Sequence, residues 1–133
     1  MAAKSVAEKL LIKPDTTLWS SDDSRLELVE PLPAGVRRVD APERATTALV
    51  FADDAAALRD LLATHKERLA RPDILWVAYP KGNRTDINRD SLWPILNELG
   101  LRPVTQVSID QMWSALRFRP LKQGEAPFTG GRS

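Results

Sequence analysis

The segment from residue 73 to residue 119 constrains the fold more than any other part of the chain. It contains an apolar strand, a polar loop, an amphipathic helix and two further strands that only Asp110, Gln111 and Met112 separate. Parallel strands need a crossover connection of a dozen or more residues. The last two strands must therefore be antiparallel, and the whole order is typical of the closing half of a doubly wound α/β sheet.

The other predicted strands lie before the polar loop. Residues 45–53 contain a nearly continuous apolar run from Ala48 to Ala52, and residues 74–80 contain another. Such runs indicate burial on both faces, as in a parallel sheet. A short strand at about 16–20 and a marginal or edge strand at 36–40 complete the pattern. The alternation of strands and helices predicts a three-layer α/β sandwich with a mostly parallel, Rossmann-like sheet that ends in an antiparallel hairpin.

Two longer helices are predicted from apolar residues that recur at three- and four-residue steps. Asp53 or Asp54 caps the first helix, and Asp90 or Ser91 begins the second. Gly100 ends the second helix, in which a proline is tolerable only near the first turn. The side chains predicted to face the sheet are Leu58, Leu61, Leu62, His65 and Leu69 in the first helix, and Leu92, Trp93, Leu96 and Leu99 in the second.

Length and composition are those of one ordinary globular domain. The chain has 133 residues, of which we assign 1–120 to a single α/β domain and 121–133 to a loosely ordered tail. Nineteen basic and 18 acidic side chains leave a net charge of +1, which gives no bulk electrostatic reason to bind nucleic acid or membrane. No cysteine is present, so disulfides and thiol catalysis are excluded. The N-terminus has no apolar stretch of signal-peptide length, and a cytoplasmic location is expected.

Polar side chains concentrate where a sheet of this kind binds ligands, beyond the carboxyl ends of its strands. They follow strand 74–80 and occupy the connection between the last two strands, and residues 53–54 would share that edge. A phosphate or carboxylate would bind there to the lysine and arginines, helped by a helix N-terminus. The commoner alternative is a solvated loop whose Asp and Asn residues form turns and a cap. The candidate ligand-binding residues are Lys81, Asn83, Arg84, Asp86, Asn88, Arg89, Asp110 and Trp113.

No catalytic, metal-binding or cofactor-binding set of residues is complete, and no cofactor is predicted. His65, the only histidine, lies within the leucine stripe and is interpreted as a partly buried structural residue. The chain has no Gly-x-Ser-x-Gly turn to accompany it. Carboxylates and amides are the remaining metal ligands, and nothing in their spacing selects a site.

Arg117 and Arg119 alternate with Leu116 and Phe118, which predicts a strand with one covered and one wet face. Two arginines on one face would suit a phosphate backbone, but strand charges more commonly keep an exposed edge or face soluble. The predicted topology also places both arginines away from the loop after residue 80. This separation counts against a nucleic-acid surface that includes the loop.

Three short sequences carry a resemblance to known proteins. They are Tyr79-Pro80-Lys81, the Asp-Ile-Asn-Arg-Asp segment 86–90, and the Trp-Ser-Ala-Leu-Arg-Phe-Arg segment 113–119. The chain resembles small, uncharacterised conserved bacterial proteins, which form a domain of unknown function. The resemblance covers most of the chain, weakly before residue 45, and it implies no activity.

The order strand, helix, strand and hairpin more distantly resembles the C-terminal half of class I methyltransferases. That resemblance implies S-adenosylmethionine bound on a glycine-rich turn after the first strand, with an acidic residue at the end of the second. Here the first strand is followed by residues 20–24, which are Ser-Ser-Asp-Asp-Ser, and Asp40 is the counterpart of the acidic residue. A turn without glycine keeps the backbone from approaching the cofactor closely. The resemblance therefore supports the fold and argues against the activity.

These observations favour a non-enzymatic module that binds a partner protein or a small anionic ligand at the carboxyl edge of its sheet. A reduced methyltransferase-like or nucleotide-using enzyme is the first alternative, and a nucleic-acid binder is the second. Neither nucleic acid nor a membrane is expected as a partner. We favour the first interpretation because the chain has enough apolar residues for a core and a polar edge of the sheet, but no complete set of catalytic residues.

Overall fold

The computed structural model describes residues 5–82, 86–87, 89–121 and 124. Within them a six-stranded sheet has helices on both faces. The strands are β1 (Thr17–Ser20), β2 (Arg37–Arg38), β3 (Thr47–Phe51), β4 (Ile74–Pro80), β5 (Leu101–Ser108) and β6 (Trp113–Pro120). The α-helices are α1 (Val6–Lys9), α2 (Ala55–His65) and α3 (Arg89–Asn97), and 3-10 helices span Asp23–Val29, Pro42–Arg44 and Lys66–Ala70.

The strands lie in the order β2-β1-β3-β4-β6-β5. Strands β1 to β4 are parallel, whereas β6 is antiparallel to both of its neighbours, β4 and β5. The predicted fold class is confirmed, including the antiparallel pairing of the last two strands. The marginal strand predicted at 36–40 is β2, a two-residue strand at one edge of the sheet.

Each face of the sheet carries its own apolar core, because successive side chains of a strand point to opposite faces. On one face Val50 and Leu116 pack in a cluster with leucines of α2 and α3. On the other face Leu49 and Trp76 belong to a cluster that includes α1 and the 3-10 helix Asp23–Val29. β3 is buried at every position, and β4 at all but its two ends. The predicted burial of these strands on both faces is therefore confirmed.

The indole of Trp76 fastens the N-terminal segment to the sheet. Its Nε1 donates a hydrogen bond of 2.8 Å to the carbonyl oxygen of Leu10, and both residues are fully buried. A buried indole N–H needs such an acceptor, since leaving it unpaired would cost the desolvation of the group. This single contact joins residues 66 positions apart in the chain.

Helix α3 departs from its prediction at both ends. It begins at Arg89, before the predicted start, so Pro94 lies inside the helix and not near its first turn. Ile95 is buried although the predicted stripe omits it, whereas Leu99, which the pattern places inward, is 39% exposed. The reason is that the helix ends at Asn97 and Gly100 takes a φ of 76°, so the chain turns away before Leu99 continues the stripe.

The position of β6 corrects the interpretation of Arg117 and Arg119. Leu116 and Phe118 are buried as predicted, and the two arginines are half-buried on the opposite face. The strand is not an edge, however, because it lies between β4 and β5, and β5 is the edge strand. Alternation along a sequence reports which side chains share a face, but it does not report the neighbours of a strand.

β6 ends at Pro120, and the division of the chain into a domain of residues 1–120 and a tail stays a prediction. Residues 122–123 and 125–133 lie outside the described residues, so the loosely ordered tail stays a prediction. Among the helices that the structure describes, none combines the length and the hydropathy that crossing a bilayer requires.

The contrast between Leu92 and Leu99 gives a test of the packing of α3. Leu92 is fully buried, so Leu92→Ala should lower the free energy of unfolding by about 2–5 kcal/mol. Leu99→Ala removes the same atoms from a side chain that is 39% exposed, and we expect a loss below about 1 kcal/mol. Urea unfolding of both variants measures the difference. Equal losses would contradict the described end of the helix.

His65 packs beside Trp19, with ring centroids 4.8 Å apart and an interplanar angle of 73°. Its Nδ1 is buried and has no hydrogen-bond partner among the described residues. Burial lowers the pKa of His65 below its usual value, the nearby charge of Arg68 lowers it further, and Glu43 opposes the shift. The structural interpretation of this histidine agrees with its place against an aromatic side chain of the core.

The lowered pKa of His65 predicts a stability that depends on pH. In the unfolded chain the imidazole titrates near 6.5, and in the folded chain it titrates lower, so protonation favours unfolding. The contribution of the neutral ring is complete above about pH 6.5 and is lost as the pH falls through the folded-state pKa. We expect the free energy of unfolding to decline from pH 7 to pH 5, and to decline less in His65→Asn. Parallel slopes for the two proteins in urea unfolding would contradict this prediction.

Candidate functional site

The carboxyl ends of β1, β3 and β4 meet at one edge of the sheet, because these strands are parallel. The chain passes from β1 outward to β2 and then returns across β1 to form β3. The strand order therefore reverses between β1 and β3, whose last residues are Ser20 and Phe51. In open α/β sheets ligands bind in the crevice outside such a point of reversal.

Arg25 occupies this crevice. The arginine belongs to the 3-10 helix after β1, and its Nη2 lies 2.9 Å from Oδ1 of Asp53, which follows β3. Its Nε lies 3.3 Å from Oδ2 of Asp22, and the guanidinium carbon lies 4.8 Å from the centroid of the Trp113 ring. The Trp113 ring meets Phe51 edge to face at 5.8 Å. We call Asp22, Arg25, Phe51, Asp53 and Trp113 the Arg25 cluster.

The partners of Arg25 form a cradle for a cation. Asp22 and Asp53 supply two carboxylates, and the indole of Trp113 supplies a ring face that attracts positive charge. The hydroxyl of Ser24 donates to Asp22 Oδ1, which lowers the pKa of that carboxyl against the opposing effect of burial. Asp22 therefore stays ionised at neutral pH, and the cradle carries two negative charges around one arginine.

The turn after β1 is closed by its own side chains. Ser21 Oγ accepts a 2.8 Å hydrogen bond from the amide of Phe51, and the Ser21 amide donates to the carbonyl of Leu49. Ser20 Oγ accepts from the amide of Asp22 at 3.1 Å. These contacts bind the turn to β3, and its side chains stand where a glycine-rich turn would expose backbone.

Lys81 and Asp110, two of the predicted ligand-binding residues, hold the final hairpin together. Asp110 Oδ1 accepts hydrogen bonds from the amides of Met112 and Trp113 at 2.8 and 2.7 Å. The ammonium of Lys81 donates to Ser108 Oγ, and the Lys81 amide donates to the carbonyl of Met112 at 2.8 Å. Their polar groups are thus engaged in the turn itself, as in the alternative interpretation of the rim.

Asp86 supports a helix. Its Oδ1 accepts a 2.9 Å hydrogen bond from the amide of Ala55, the first residue of α2, and Asp54 accepts from Ala57 at 2.8 Å. Two carboxylates therefore satisfy amides at the N-terminus of α2 and oppose the positive end of its dipole. The predicted cap at residue 53 or 54 is Asp54. The remaining predicted site residues, Asn83, Arg84, Asn88 and the side chain of Arg89, lie outside the described part of the chain.

The sequence interpretation placed Asp53 and Trp113 at the rim, but it missed Arg25 and Asp22. The two residues follow the first strand and stand three positions apart on a helical turn. Their position in the turn that replaces a glycine-rich one was the available signal. Nothing local indicates the contact of Arg25 with Trp113, because the two residues lie 88 positions apart in the chain.

Two other features of the described residues concern possible sites. Among the residues that the structure describes, no group of three or more His, Cys, Asp or Glu side chains could hold a metal ion. An open apolar groove of about 630 Å³ lies beside the residues that precede β1. It is lined by Ser5, Glu8, Leu11, Ile12, Lys13, Pro14, Pro31, Leu32 and Pro33.

The sequence matches no protein-family model and no curated protein. Several solved structures share its fold. A protein of the NADB-Rossmann superfamily from Streptococcus agalactiae has a TM-score of 0.59 and 10% identity, over 97% of this chain and 72% of that chain. A putative tRNA (m1A22) methyltransferase from Streptococcus pneumoniae has 0.58 and 12%, over 98% and 74%. The m1A22 tRNA methyltransferase TrmK from Bacillus subtilis has 0.52 and 10%, over 90% and 67%.

These comparisons confirm the distant resemblance to the methyltransferase-like Rossmann fold and extend it. The similarity covers almost the whole chain, including β1 and β2, and not only the C-terminal half. At 10–12% identity it shows the fold alone. The resemblance to uncharacterised bacterial proteins is not tested by these structures and stays a prediction.

The main functional interpretation is contradicted. A non-enzymatic module that binds a partner protein or a small anion was favoured, yet the named enzymes with this fold are methyltransferases, and the pneumococcal protein has been solved with S-adenosyl-L-methionine. Lys81, Asp86 and Asp110 have partners within the protein, and the candidate anion site as a whole stays a prediction. The first alternative, a reduced methyltransferase-like or nucleotide-using enzyme, is better supported than the main interpretation.

The described role of Asp86 leads to a prediction about stability. Asp86→Ala removes the acceptor for the Ala55 amide and should lower the free energy of unfolding by about 0.5–2 kcal/mol. Asp60→Ala, at an exposed position in the middle of the same helix, should change it by less than about 0.5 kcal/mol. Urea unfolding distinguishes the two. A loss no larger for Asp86→Ala than for Asp60→Ala would show that Asp86 does not cap α2.

Proposed function

We propose that this chain is a reduced methyltransferase-like domain that binds S-adenosylmethionine at the Arg25 cluster. The observation that carries the proposal is a cradle for a cation, placed where the strand order reverses. Asp22, Asp53 and Trp113 surround one guanidinium there. The fold and the position at the reversal of strand order support a ligand in this crevice. The two carboxylates and the indole favour a ligand with positive charge.

The charges of the cradle suit the sulfonium and the ammonium of S-adenosylmethionine. Two carboxylates can face these positive groups, and an indole face accepts a cation with attached methyl groups. The adenosine part would extend toward Asp40, which follows β2. The Asp40 side chain is 88% exposed, and its described ion pair is a 3.8 Å contact with Arg44. It is therefore accessible to ribose hydroxyls.

Binding requires Arg25 to leave the cradle. Its two ion pairs are partly exposed, with side-chain exposures of 29% for Arg25, 40% for Asp22 and 56% for Asp53. Such pairs contribute about 0.2–1 kcal/mol each, and a cation–π contact at an exposed site contributes about 0.5–1 kcal/mol. A ligand cation that makes the same contacts offsets these losses. Arg25 thus competes with the ligand, and its side chain is the main departure from the glycine-rich pattern.

The turn after β1 is a second difference from the glycine-rich pattern. Because Ser20 and Ser21 fill it with side chains, the ligand would rest on side chains rather than on bare backbone. S-adenosylmethionine supplies an activated methyl group when it is bound. The residues of this chain would bind and orient it: Asp22 and Asp53 its positive charges, Trp113 the methyl-bearing sulfur, and Asp40 the ribose.

Isothermal titration calorimetry with three variants tests the proposal. Arg25→Ala frees the cradle and should tighten S-adenosylmethionine binding by about tenfold, since roughly 1.4 kcal/mol of competition disappears. Asp53→Asn removes one carboxylate charge and should weaken binding by about fivefold. The demethylated product, whose sulfur is neutral, should bind more weakly than S-adenosylmethionine to the same protein.

Arg59→Ala is the matched control. Arg59 is also a partly exposed arginine in an ion pair, 3.3 Å from Glu98, but it joins α2 to the region after α3. Its loss should leave the dissociation constant unchanged. The proposal is wrong if neither wild-type protein nor Arg25→Ala binds S-adenosylmethionine at millimolar concentration, or if Arg25→Ala and Asp53→Asn behave as Arg59→Ala does.

A further inference from the structure

The short helix α1 ends in a strained leucine. The Leu11 amide donates to the carbonyl of Glu8, and the Ile12 amide donates to the carbonyl of Ala7. This is the hydrogen-bond pattern of a Schellman motif, in which the residue at the position of Leu11 takes the left-handed backbone conformation. Its φ is indeed 63°. Glycine usually occupies such a position, because the Cβ atom of any other residue makes the conformation costly.

The side chain of Leu11 does not compensate for this strain by packing into the protein. It belongs to neither apolar core of the sheet, it is 38% exposed, and it lines the open apolar groove beside β1. Bulky residues with positive φ are outliers, and strained residues of this kind concentrate at binding and catalytic sites. Leucine here is unfavourable for the backbone and leaves apolar surface in water, which is the pattern of a residue that contacts a ligand.

The groove has the size and the surface of a binding site for an apolar side chain. Its lining includes Ile12, Pro14, Pro31 and Leu32 beside Leu11. Its volume of about 630 Å³ lies within the range of about 300–1,000 Å³ that is typical of ligand pockets. Because proline fixes φ, the parts of this surface that Pro14 and Pro31 form need little reordering when a ligand binds.

An acidic cavity adjoins the groove at Leu32, which lines both. The cavity has a volume of about 410 Å³, and Glu27 and Glu30 are exposed in its lining. No basic side chain among the described residues forms an ion pair with either glutamate. Asp23 and Arg38 also line the cavity, 3.7 Å apart, so their charges offset each other. An excess of negative charge therefore lies next to the apolar groove.

We propose that the apolar groove and the acidic cavity together bind a basic peptide segment of a partner protein. One large apolar side chain of the segment lies in the groove against Leu11, and a neighbouring Lys or Arg faces Glu27 and Glu30. Glu8 and Lys13, which also line the groove, have opposite charges, so the excess charge is that of the cavity. This charge disfavours a polynucleotide or an anionic lipid surface, because carboxylates repel phosphate.

Selection from a random library identifies the chemistry of the peptide. Phage that display random 12-residue peptides are first depleted on immobilised Leu11→Gly and then selected on the full wild-type chain. We expect the enriched peptides to have net positive charge and to contain Leu, Ile, Met, Phe or Trp within a few positions of Lys or Arg. Absence of enrichment, or enrichment of neutral or acidic peptides, overturns the proposal.

Fluorescence anisotropy with the most enriched peptide, labelled with fluorescein, measures the role of Leu11. Leu11→Gly gives the left-handed position the residue that suits it, so the midpoint of urea unfolding should stay the same or rise. The affinity for the peptide should fall by about fivefold or more, because the apolar contact is lost.

Leu99→Gly is the matched control for Leu11→Gly. The Leu99 side chain is 39% exposed, close to the exposure of Leu11, but it does not line the groove. Its removal should leave the affinity for the peptide within about twofold of the wild type. An equal loss of affinity in the two variants would show that Leu11 is not the contact.

Two double variants test the acidic cavity at 50 mM salt. Glu27→Gln/Glu30→Gln should weaken binding by about fivefold, and the remaining affinity should depend less on salt. Asp60→Asn/Asp73→Asn removes two exposed carboxylates that line neither the groove nor the cavity, and it should leave the affinity within about twofold. Equal weakening in both would indicate an effect of net charge alone and would refute the proposed site.

Two other occupants of the groove are separate outcomes. Displacement of the enriched peptide by a synthetic peptide of residues 121–133 would assign the groove to the chain's own C-terminal residues. A dimer in sedimentation equilibrium that Leu11→Gly dissociates would assign it to a second copy of the chain. Either result contradicts the proposal. None of these variants changes a residue of the Arg25 cluster, so the outcome does not depend on S-adenosylmethionine binding there.

Discussion

The pairing of β6 with β4 is the constraint on which the rest of the structure depends. Six residues of each strand are in register, from Leu75 opposite Phe118 to Pro80 opposite Trp113. This ladder inserts the last strand of the chain between β4 and β5 and completes both apolar cores, since Leu116 enters one and Ala115 the other. It also sets the direction of β6, so that Trp113 lies at the carboxyl end of β4.

The proposed ligand site depends on that one strand. At its first residue, Trp113 meets Arg25 and closes the cradle at the point where the strand order reverses. Toward its other end, Arg117 and Arg119 are on the same face of the sheet, and Arg102 of β5 is opposite Arg119. A shift of β6 by one residue would turn every one of these side chains to the opposite face. The buried positions of Leu116 and Phe118 prevent such a shift and thereby fix the place of Trp113.

The chain has the sheet of a methyltransferase-like fold, but the crevice beside β1 lacks the glycine-rich turn. Where a glycine-rich turn would present backbone, serine side chains bind the turn to β3, and an arginine occupies the space above it. The polar residues of the neighbouring rim have structural tasks: Asp110 holds the hairpin and Asp86 caps α2.

The sequence by itself determined the elements and the class of fold. Apolar runs identified β3 and β4, and the short connection required β5 and β6 to be antiparallel. Gly100 indicated where the chain leaves the helix, but α3 ends three residues earlier, at Asn97. These features are local, because periodicity, loop length and a positive φ act within a few residues of the chain. The periodic pattern gave a wrong prediction at Leu99, because the helix ends at Asn97 and leaves the Leu99 side chain 39% exposed.

Only the tertiary structure decided which charged and aromatic side chains meet. The contact of Arg25 with Trp113, the hydrogen bond from Ala55 to Asp86 and the pairing of Arg102 with Arg119 join residues that lie 17 to 88 positions apart. Such contacts depend on the strand order and on the register of each pair, which the burial of the two cores sets jointly. No single segment contains that information, because a strand acquires its neighbours only when the whole sheet forms.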